Sequence, residues 1–378
     1  MGFRQGSFAE VLDSLDVRAI GPQASCMPRK KNSAIPDLFS DPFGEQSTLM
    51  TREPLQLLGG RFQFESNSRE LLQLVDSAYA GLPRHRLSAV APRMRVRLLL
   101  SSLPGRAHSR RRSEPPSLAM LSGPGFLAGV PYSSNFVALA PGERSALVSV
   151  SPQMLRFPYH TRYELIEFAV FTLAARVQGL VPLHGACVGR GGRGLLLMGP
   201  SGAGKSTVAL QCLLQGLDFL AEDSVFVAPD TMLATGIANF LHIRSDSLRW
   251  VARSRDAARI RKSPVIRRRS GVRKFEIDLR GGEYPLAPSA LKIAAVVFLS
   301  AQSAGKRPLL TSLPRSELLA RLTMDQPYAA NQPQWSAFTR SVSRLDAFEL
   351  RRGQHPREAV EALRELLGSA SGITRSPR

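Results

Sequence analysis

Three observations in the second half of the chain predict an α/β fold. Gly199-Pro200-Ser201-Gly202-Ala203-Gly204-Lys205-Ser206 fits the phosphate-loop pattern G-x-x-x-x-G-K-[ST] in full. The apolar run at 195–198 feeds that loop as a buried strand, and 206–214 leaves it as a helix, with Gly216 placed to stop it. Strand-sized apolar runs then recur at 219–221, 225–227 and 293–299, before a closing helix at 357–367.

The first half is patchier. Ser7 and Glu10 have capping-box spacing and predict a short helix over about 8–16. Pro22, Pro28, Pro36, Pro42 and Pro54 among polar residues make 22–55 a loop region. Gly60-Arg61-Phe62-Gln63-Phe64 alternates like a half-buried strand. Asn67, with Glu70 three residues later, opens a helix whose apolar face is Leu71, Leu72, Val75 and Tyr79. Residues 95–100 read as a strand, and strands follow at 136–139 and 146–150. Between them, 101–118 is a basic Pro/Ser-rich break in which Arg110, Arg111 and Arg112 read as a solvated loop. Thr161-Arg162-Tyr163-Glu164 is a second capping box, opening a helix with Ile166, Ala169, Val170, Leu173 and Val177 on one side. The expected division is a smaller α+β recognition domain over 1–155, a phosphate-loop domain over 156–368 and a disordered tail over 369–378.

Composition bounds the class. A chain of 378 residues, 43% hydrophobic and 21% charged, suits about two folded domains. No apolar run approaches the ~20 residues of a membrane helix, and the start lacks a signal-peptide core, so no membrane partner is expected. Cys26, Cys187 and Cys212 fit neither a zinc pattern nor a disulfide framework, which points to a reduced, cytoplasmic setting. The 50 basic and 30 acidic residues leave a net charge of +20, and 43 of the 50 are arginine. Arginine's planar fork binds phosphate and carboxylate, although a GC-rich coding sequence gives the same bias.

The phosphate loop carries the chemistry. Its glycines let backbone N–H groups turn inward, and with the helix N-terminus these cradle phosphate oxygens. Lys205 reaches the terminal phosphates, and the Ser206 hydroxyl belongs on Mg²⁺, so ATP and Mg²⁺ are the expected cofactors. The transporter signature L-S-G-G-Q and the guanine reader N-K-x-D are both absent. Instead Glu222 and Asp223 end the strand after the loop's helix, beginning 17 residues beyond Lys205. Paired carboxylates beside a triphosphate divide two roles, one toward metal and one as proton acceptor from an attacking hydroxyl. His184 lies upstream, one strand before the loop's own strand.

L-H-G-A-x-V at 183–188, a glycine turn at 189–194, L-L-x-G-P-S-G-A-G-K-S-T at 196–207 and G-x-x-x-L-A-E-D-S-V at 216–225 together resemble the kinase core of the HPr kinase/phosphorylase family and its HPr-kinase-like relatives. The close resemblance spans about 180–230, and a looser one runs to about 367. That core, similar to phosphoenolpyruvate carboxykinase, implies a mixed and strongly bent sheet. It implies that Gly199 to Ser206, with Thr207 following, hold ATP phosphates and that His184 sits beside the reacting phosphate. Arg244 and Lys274 are weaker matches, implied as contacts to phosphate or substrate. Relatives are often oligomeric, which makes a homo-oligomer one expectation of the resemblance.

Several positions depart from the family. Glu222 replaces the first Asp of an Asp-Asp pair, and a metal ligand absorbs the extra methylene more easily than a positioned base does. Asp223 is therefore the expected base and Glu222, with Ser206, the metal-side residue. Thr207 stands where bifunctional members have Glu, and their carboxy-terminal signature is not recognisable. Residues 57–79 resemble the small leader of HPr-kinase-like proteins from peptide-modification gene clusters, including lasso-peptide kinases. The expectation is a serine kinase for a peptide or small protein bearing an acceptor Ser. Eleven basic residues against three acidic ones over 253–280 suggest an electropositive rim that steers an acidic substrate. The competing class is an ATP-binding regulatory module that holds an acidic partner or nucleic acid without phosphoryl transfer. A small-molecule kinase would use the same residues. No nucleic-acid motif appears and aromatics are only 7%, so a stacking platform is not evident.

Overall fold

The computed structural model describes residues 49–101, 120–123, 126–132, 135–251 and 254–369. The helix expected over 8–16, most of the 22–55 loop, Cys26, the stretch 102–118 with its three arginines, and the tail from 370 lie outside the described residues.

The fold is mixed α/β with several sheets, of which the two larger are themselves mixed. The first has seven strands, β1 (Met50–Leu57), β2 (Gly60–Ser66), β3 (Arg93–Leu100), β4 (Met120–Gly123), β5 (Phe126–Tyr132), β6 (Asn135–Ala140) and β7 (Ser145–Val150), in the order β1-β2-β3-β7-β6-β5-β4. β3 runs parallel to both β2 and β7, and the remaining pairs are antiparallel. The loop expected up to residue 55 gives way to β1 from Met50. Pro54 fits there because β1 is an edge strand and its register shifts between Arg52 and Leu55.

Helix α1 (Arg69–Tyr79) begins one residue later than expected. Ser68 is the cap, its hydroxyl accepting from the Leu71 N–H at 3.3 Å. Asn67 instead ties the chain to the end of β3, accepting from Leu100 N–H and donating to Leu100 O. The second capping box is also corrected. Thr161 already has helical backbone angles, because a short helical turn from Pro158 precedes it, and its hydroxyl donates to Met154 O. Residues Thr161–Ile166 form a π-helical turn that continues into α2 (Glu167–Gln178). In α2 nine consecutive residues, Glu167 to Ala175, are buried, so the helix has no solvent face over that span and is not one-sided. It fills the core of the seven-stranded sheet with Phe62, Phe64, Val96 and Val148, and Phe171 meets Phe226 edge-on at 5.3 Å. Each such aromatic contributes about 1.5–3 kcal/mol by burial.

The second sheet has nine strands. They are β8 (Val181–His184), β9 (Ala186–Arg190), β10 (Arg193–Met198), β11 (Asp218–Ala221), β12 (Ser224–Ala228), β13 (Leu233–Gly236), β17 (Leu291–Ser303), β18 (Leu310–Ser312) and β19 (Asp346–Arg352). Strands β14 (Phe240–Ile243), β15 (Val265–Arg267) and β16 (Arg273–Asp278) make a third, small sheet, with helix α4 (Ser254–Lys262) between β14 and β15 in sequence. Seven strands of the second sheet run β11-β9-β10-β17-β13-β12-β8, and β19 joins parallel to β17. Its two edge strands, β11 and β8, continue directly into β12 and β9 in sequence. The sheet therefore curls back on two kinked segments. Helix α3 (Lys205–Leu214) and α7 (Pro356–Ser369) pack on one face around Val188, Leu195, Leu197 and Val297. Helices α5 (Arg315–Asp325) and α6 (Trp335–Val342) cover the other, around Leu196, Met198, Val296 and Phe298. Cys187 and Cys212 are buried, and burial pushes both thiols up, the latter to about 12, which leaves them unreactive near neutrality. Among the described residues no helix is long and apolar enough to cross a membrane.

Candidate functional site

The site grows from a break in one antiparallel ladder. β8 pairs with β12, placing Ser224 opposite His184, and β9 pairs with β11, placing Ala221 opposite Cys187. Between these halves Gly185 stands against Glu222 and Asp223. A Cβ on Gly185 would lie 2.8 Å from both Leu197 O and Met198 Sδ, so glycine lets the kinked chain pass β10. His184 is thus two strands before β10 in sequence and lies beyond the kink. The expected hairpin joins β9, not β8, to β10.

The kink sends the two carboxylates to different partners. Glu222, buried, accepts from the Ser206 hydroxyl at the start of α3, and its second oxygen lies 3.5 Å from His242 N–H. Asp223 accepts the Tyr163 hydroxyl at Oδ2 (2.7 Å), while His184 Nδ1 lies 3.2 Å from Oδ1. Arg268, on the turn between β15 and β16, brings Nη2 to 3.5 Å from Oδ2. Burial raises the Asp223 pKa, but the His184 hydrogen bond and the Arg268 charge outweigh it and hold the carboxyl well below its usual range. His184 is fixed from behind by Gln326, which accepts from its N–H (2.7 Å) and donates to its carbonyl (3.0 Å).

The phosphate loop leaves the end of β10, beside its parallel neighbour β17, to which β19 runs parallel in turn. Ligands of open α/β sheets bind at such carboxyl ends. Gly199 has φ +130°, and a Cβ there would lie 2.7 Å from Leu299 O on β17. Gly204, with φ +108°, turns the chain into α3. The first N–H groups of α3 have no acceptor within the helix itself, which makes them available to an anion. Lys205 is buried and donates to Gly199 O (2.6 Å) and Pro200 O (3.4 Å); burial lowers its pKa, against the raising effect of Asp223 and Glu222.

Ser201 to Thr207, Glu222, Asp223 and His184 line one cleft of about 1110 Å³. Gly199 and Pro200 lie behind it and act through their carbonyls on Lys205. Lys274, on β16 of the small sheet, lines the cleft, and Arg244 stands at its rim, 64% exposed and 3.5 Å from Asp246. Eight lysines and arginines against three carboxylates line the whole cleft. Thr207 meets Ser247 at 3.2 Å.

These residues fit a nucleotide's phosphates and an oxygen-ligated cation. Ser206 Oγ and the Glu222 carboxylate are touching hard-oxygen donors at the N-terminus of α3, as Mg²⁺ requires. Among the described residues no group of three or more His, Cys, Asp or Glu is placed to hold a metal, and a cation at Ser206 and Glu222 would need further ligands from phosphate and water.

Four contributors escaped the sequence. Tyr163 read as one member of a helix cap, whereas the π-turn carries it to Asp223 and carries Glu164 to Arg269 (2.8 Å). Arg268 was indistinguishable within a basic run. Gln326 is 142 residues from His184 and has no local signature. His242, packed edge-on against Tyr159 and Tyr163 and 3.1 Å from Glu276, stood in a stretch noted only for its resemblance.

No family model and no curated protein matches this sequence. Among solved structures, the HPr(Ser) kinase/phosphatase from Coxiella burnetii aligns over 50% of this chain and 99% of its own, at 12% identity and a TM-score of 0.26. A likeness that low carries no functional inference.

Proposed function

We propose that this protein is an ATP- and Mg²⁺-dependent kinase that phosphorylates a serine hydroxyl of a peptide or small protein. The reading rests on one observation above all: in a single cleft with a phosphate loop, one carboxylate is bonded to the loop's Ser206 and its neighbour is held by His184. That separation matches the needs of a metal-side residue, Glu222, and an acceptor-side residue, Asp223. Bound Mg²⁺ would offset charge on the triphosphate.

The chain's own residues do the rest. Phosphate-loop N–H groups and Lys205 hold the nucleotide, and Asp223 orients the acceptor hydroxyl and takes its proton. A carboxylate held at low pKa is a weak base. It suits a loose phosphoryl transfer, in which the proton leaves late and positioning dominates. The excess of cationic side chains around the cleft favours an acidic acceptor segment, an attraction that salt screens. Arg244 and Lys274 would contact that segment or the nucleotide's phosphates.

The test is thiophosphate labelling with ATPγS and Mg²⁺ in extract of the native host, comparing the wild type with Asp223→Asn. A serine-labelled peptide or protein present only with the wild type is the expected result. Intact ATP binding with no label above the variant would instead favour the regulatory module, a reading that the fully engaged Asp223 carboxylate also accommodates.

A further inference from the structure

Helices α1 and α2 pack on the face of the seven-stranded sheet that carries Phe62, Phe64, Val96 and Val148, and the alternate residues of its central strands point the other way. On β3 those residues are Arg93, Arg95 and Arg97, all exposed and spaced about 6.6 Å apart along the strand. On β2 they include Arg61, also exposed and directly opposite Arg93, and Glu65, opposite Arg97. Glu65 shows what this spacing accepts. Its one carboxylate bridges two guanidinium groups, Oε1 lying 3.5 Å from Arg95 Nε and Oε2 3.1 Å from Arg97 Nε. Both arginines stay about half exposed, at 54% and 47%. Arg61 and Arg93 are just as close in register, yet among the described residues neither has an acidic partner. Like charges set opposite one another on a sheet are destabilising, so this pair calls for an anion from outside the sheet. Beside the cationic row, Leu147 on β7 lies opposite Arg97 and Ala138 on β6 lies opposite Leu147, both half-buried.

We propose that this face docks an acidic peptide segment of a partner protein, with carboxylates on the arginine row and apolar side chains on Leu147 and Ala138. An extended segment carries alternate side chains at the same period as β3, so successive carboxylates meet successive guanidinium forks, each able to hold one through two N–H groups. Four arginines against Glu65 leave the row a charge of +3, which attracts such a segment. The outward positions of β2, β3 and β7 carry no aromatic ring on which a base could stack, and this favours a peptide over nucleic acid. None of these residues lines the phosphate-loop cleft, so the surface is independent of the kinase reading.

The probe is a short fluorescein-labelled peptide that alternates glutamate and alanine, followed by anisotropy against the full chain. Its glutamine counterpart and an oligothymidylate of equal charge are the comparisons. Wild type should bind the glutamate peptide, more weakly as salt is added, and prefer it to both others. Arg61→Thr/Arg93→Thr keeps strand-forming residues and should weaken binding about tenfold, the scale of two exposed ion pairs. Glu65→Gln frees Arg95 and Arg97 and should tighten binding severalfold, a gain that misfolding cannot imitate and that keeps the test open if the double variant melts without cooperativity. Arg244→Thr/Lys274→Thr, in the cleft, should leave the affinity unchanged. Binding that falls in the cleft variant but not in Arg61→Thr/Arg93→Thr would overturn the proposal by placing the peptide in the cleft. Preference for the oligothymidylate, no binding of the glutamate peptide by wild type, or an unchanged affinity in Glu65→Gln would overturn it as well.

Discussion

His184 and Asp223 face each other across the break between two halves of one antiparallel ladder, with Nδ1 3.2 Å from Oδ1 and the histidine backbone clasped by Gln326. The imidazole counters the upward pull of burial on the carboxyl. Replacing His184 with alanine should therefore let burial prevail and raise the Asp223 pKa. A depressed carboxylate is ionised through the neutral range and loses its charge only as pH falls through its folded pKa. The acid limb of the kcat/KM profile should thus move to higher pH in His184→Ala. Asp223→Asn should cost about 10²–10⁴-fold in turnover with little change in ATP affinity. A wild-type rate in Asp223→Asn would remove the base assignment.

Ser206 and Glu222 touch at the mouth of α3, and each is expected to lose metal affinity when its oxygen is lost. Ser206→Ala and Glu222→Gln should each raise the Mg²⁺ concentration needed for half-maximal turnover by about 10–100-fold, the range for a lost ligand or its support. Metal-free nucleotide binding, followed by calorimetry, should change far less.

Gly199 combines φ +130° with a Cβ position 2.7 Å from Leu299 O. Gly199→Ala should cost well over the ~1 kcal/mol of an incompatible backbone alone, because β17 must also move. Gly81→Ala is the control: its φ is +77° but nothing lies within 4 Å. A larger fall in Tm for Gly199→Ala than for Gly81→Ala is expected, and equal falls would contradict the steric account.

Glu167 is buried beside Arg162 and Asn239, and burial raises its carboxyl to about 7. Its folded pKa exceeds the ordinary value, so the native state binds the extra proton between about 4.5 and 7, and stability falls as pH rises through that window. The whole effect is on the order of 3 kcal/mol at most. Between pH 5 and pH 8, urea titrations should show wild type losing more stability than Glu167→Gln, since buried His85 with its lowered pKa acts in the opposite direction in both. Glu276 and Glu164, whose carboxyls are held low, act only below this window.

Local pattern made much of the fold legible. The phosphate loop with β10 and α3, the runs that became β11, β12 and β17, and the closing helix were all readable because their apolar periodicity is set by immediate neighbours. Boundaries moved where a distant partner intervened: Asn67 gave up the cap because Leu100 offered it two bonds, and Thr161 gave it up because Met154 O lay within reach. His184, Lys205, Ser206, Glu222 and Asp223 were named from sequence, and the structure brings them to one cleft. Its walls were not legible. Tyr163 and Arg268 reach Asp223 from the π-turn and from the small sheet, and neither spacing nor composition encodes such approaches.

The shared core of α2 and the seven-stranded sheet also sets an order of events at the ribosome. All of that core's buried side chains except Phe226 belong to residues 57–180. Once α2 clears the exit tunnel, the nascent chain already holds nearly everything needed to close this layer, while the phosphate loop is still inside the tunnel. Domains tend to fold as units, amino-terminal first, during synthesis. The π-turn that bears Tyr163 would then be in place before Asp223 exists, so the later half of the chain assembles its chemistry against a surface already formed.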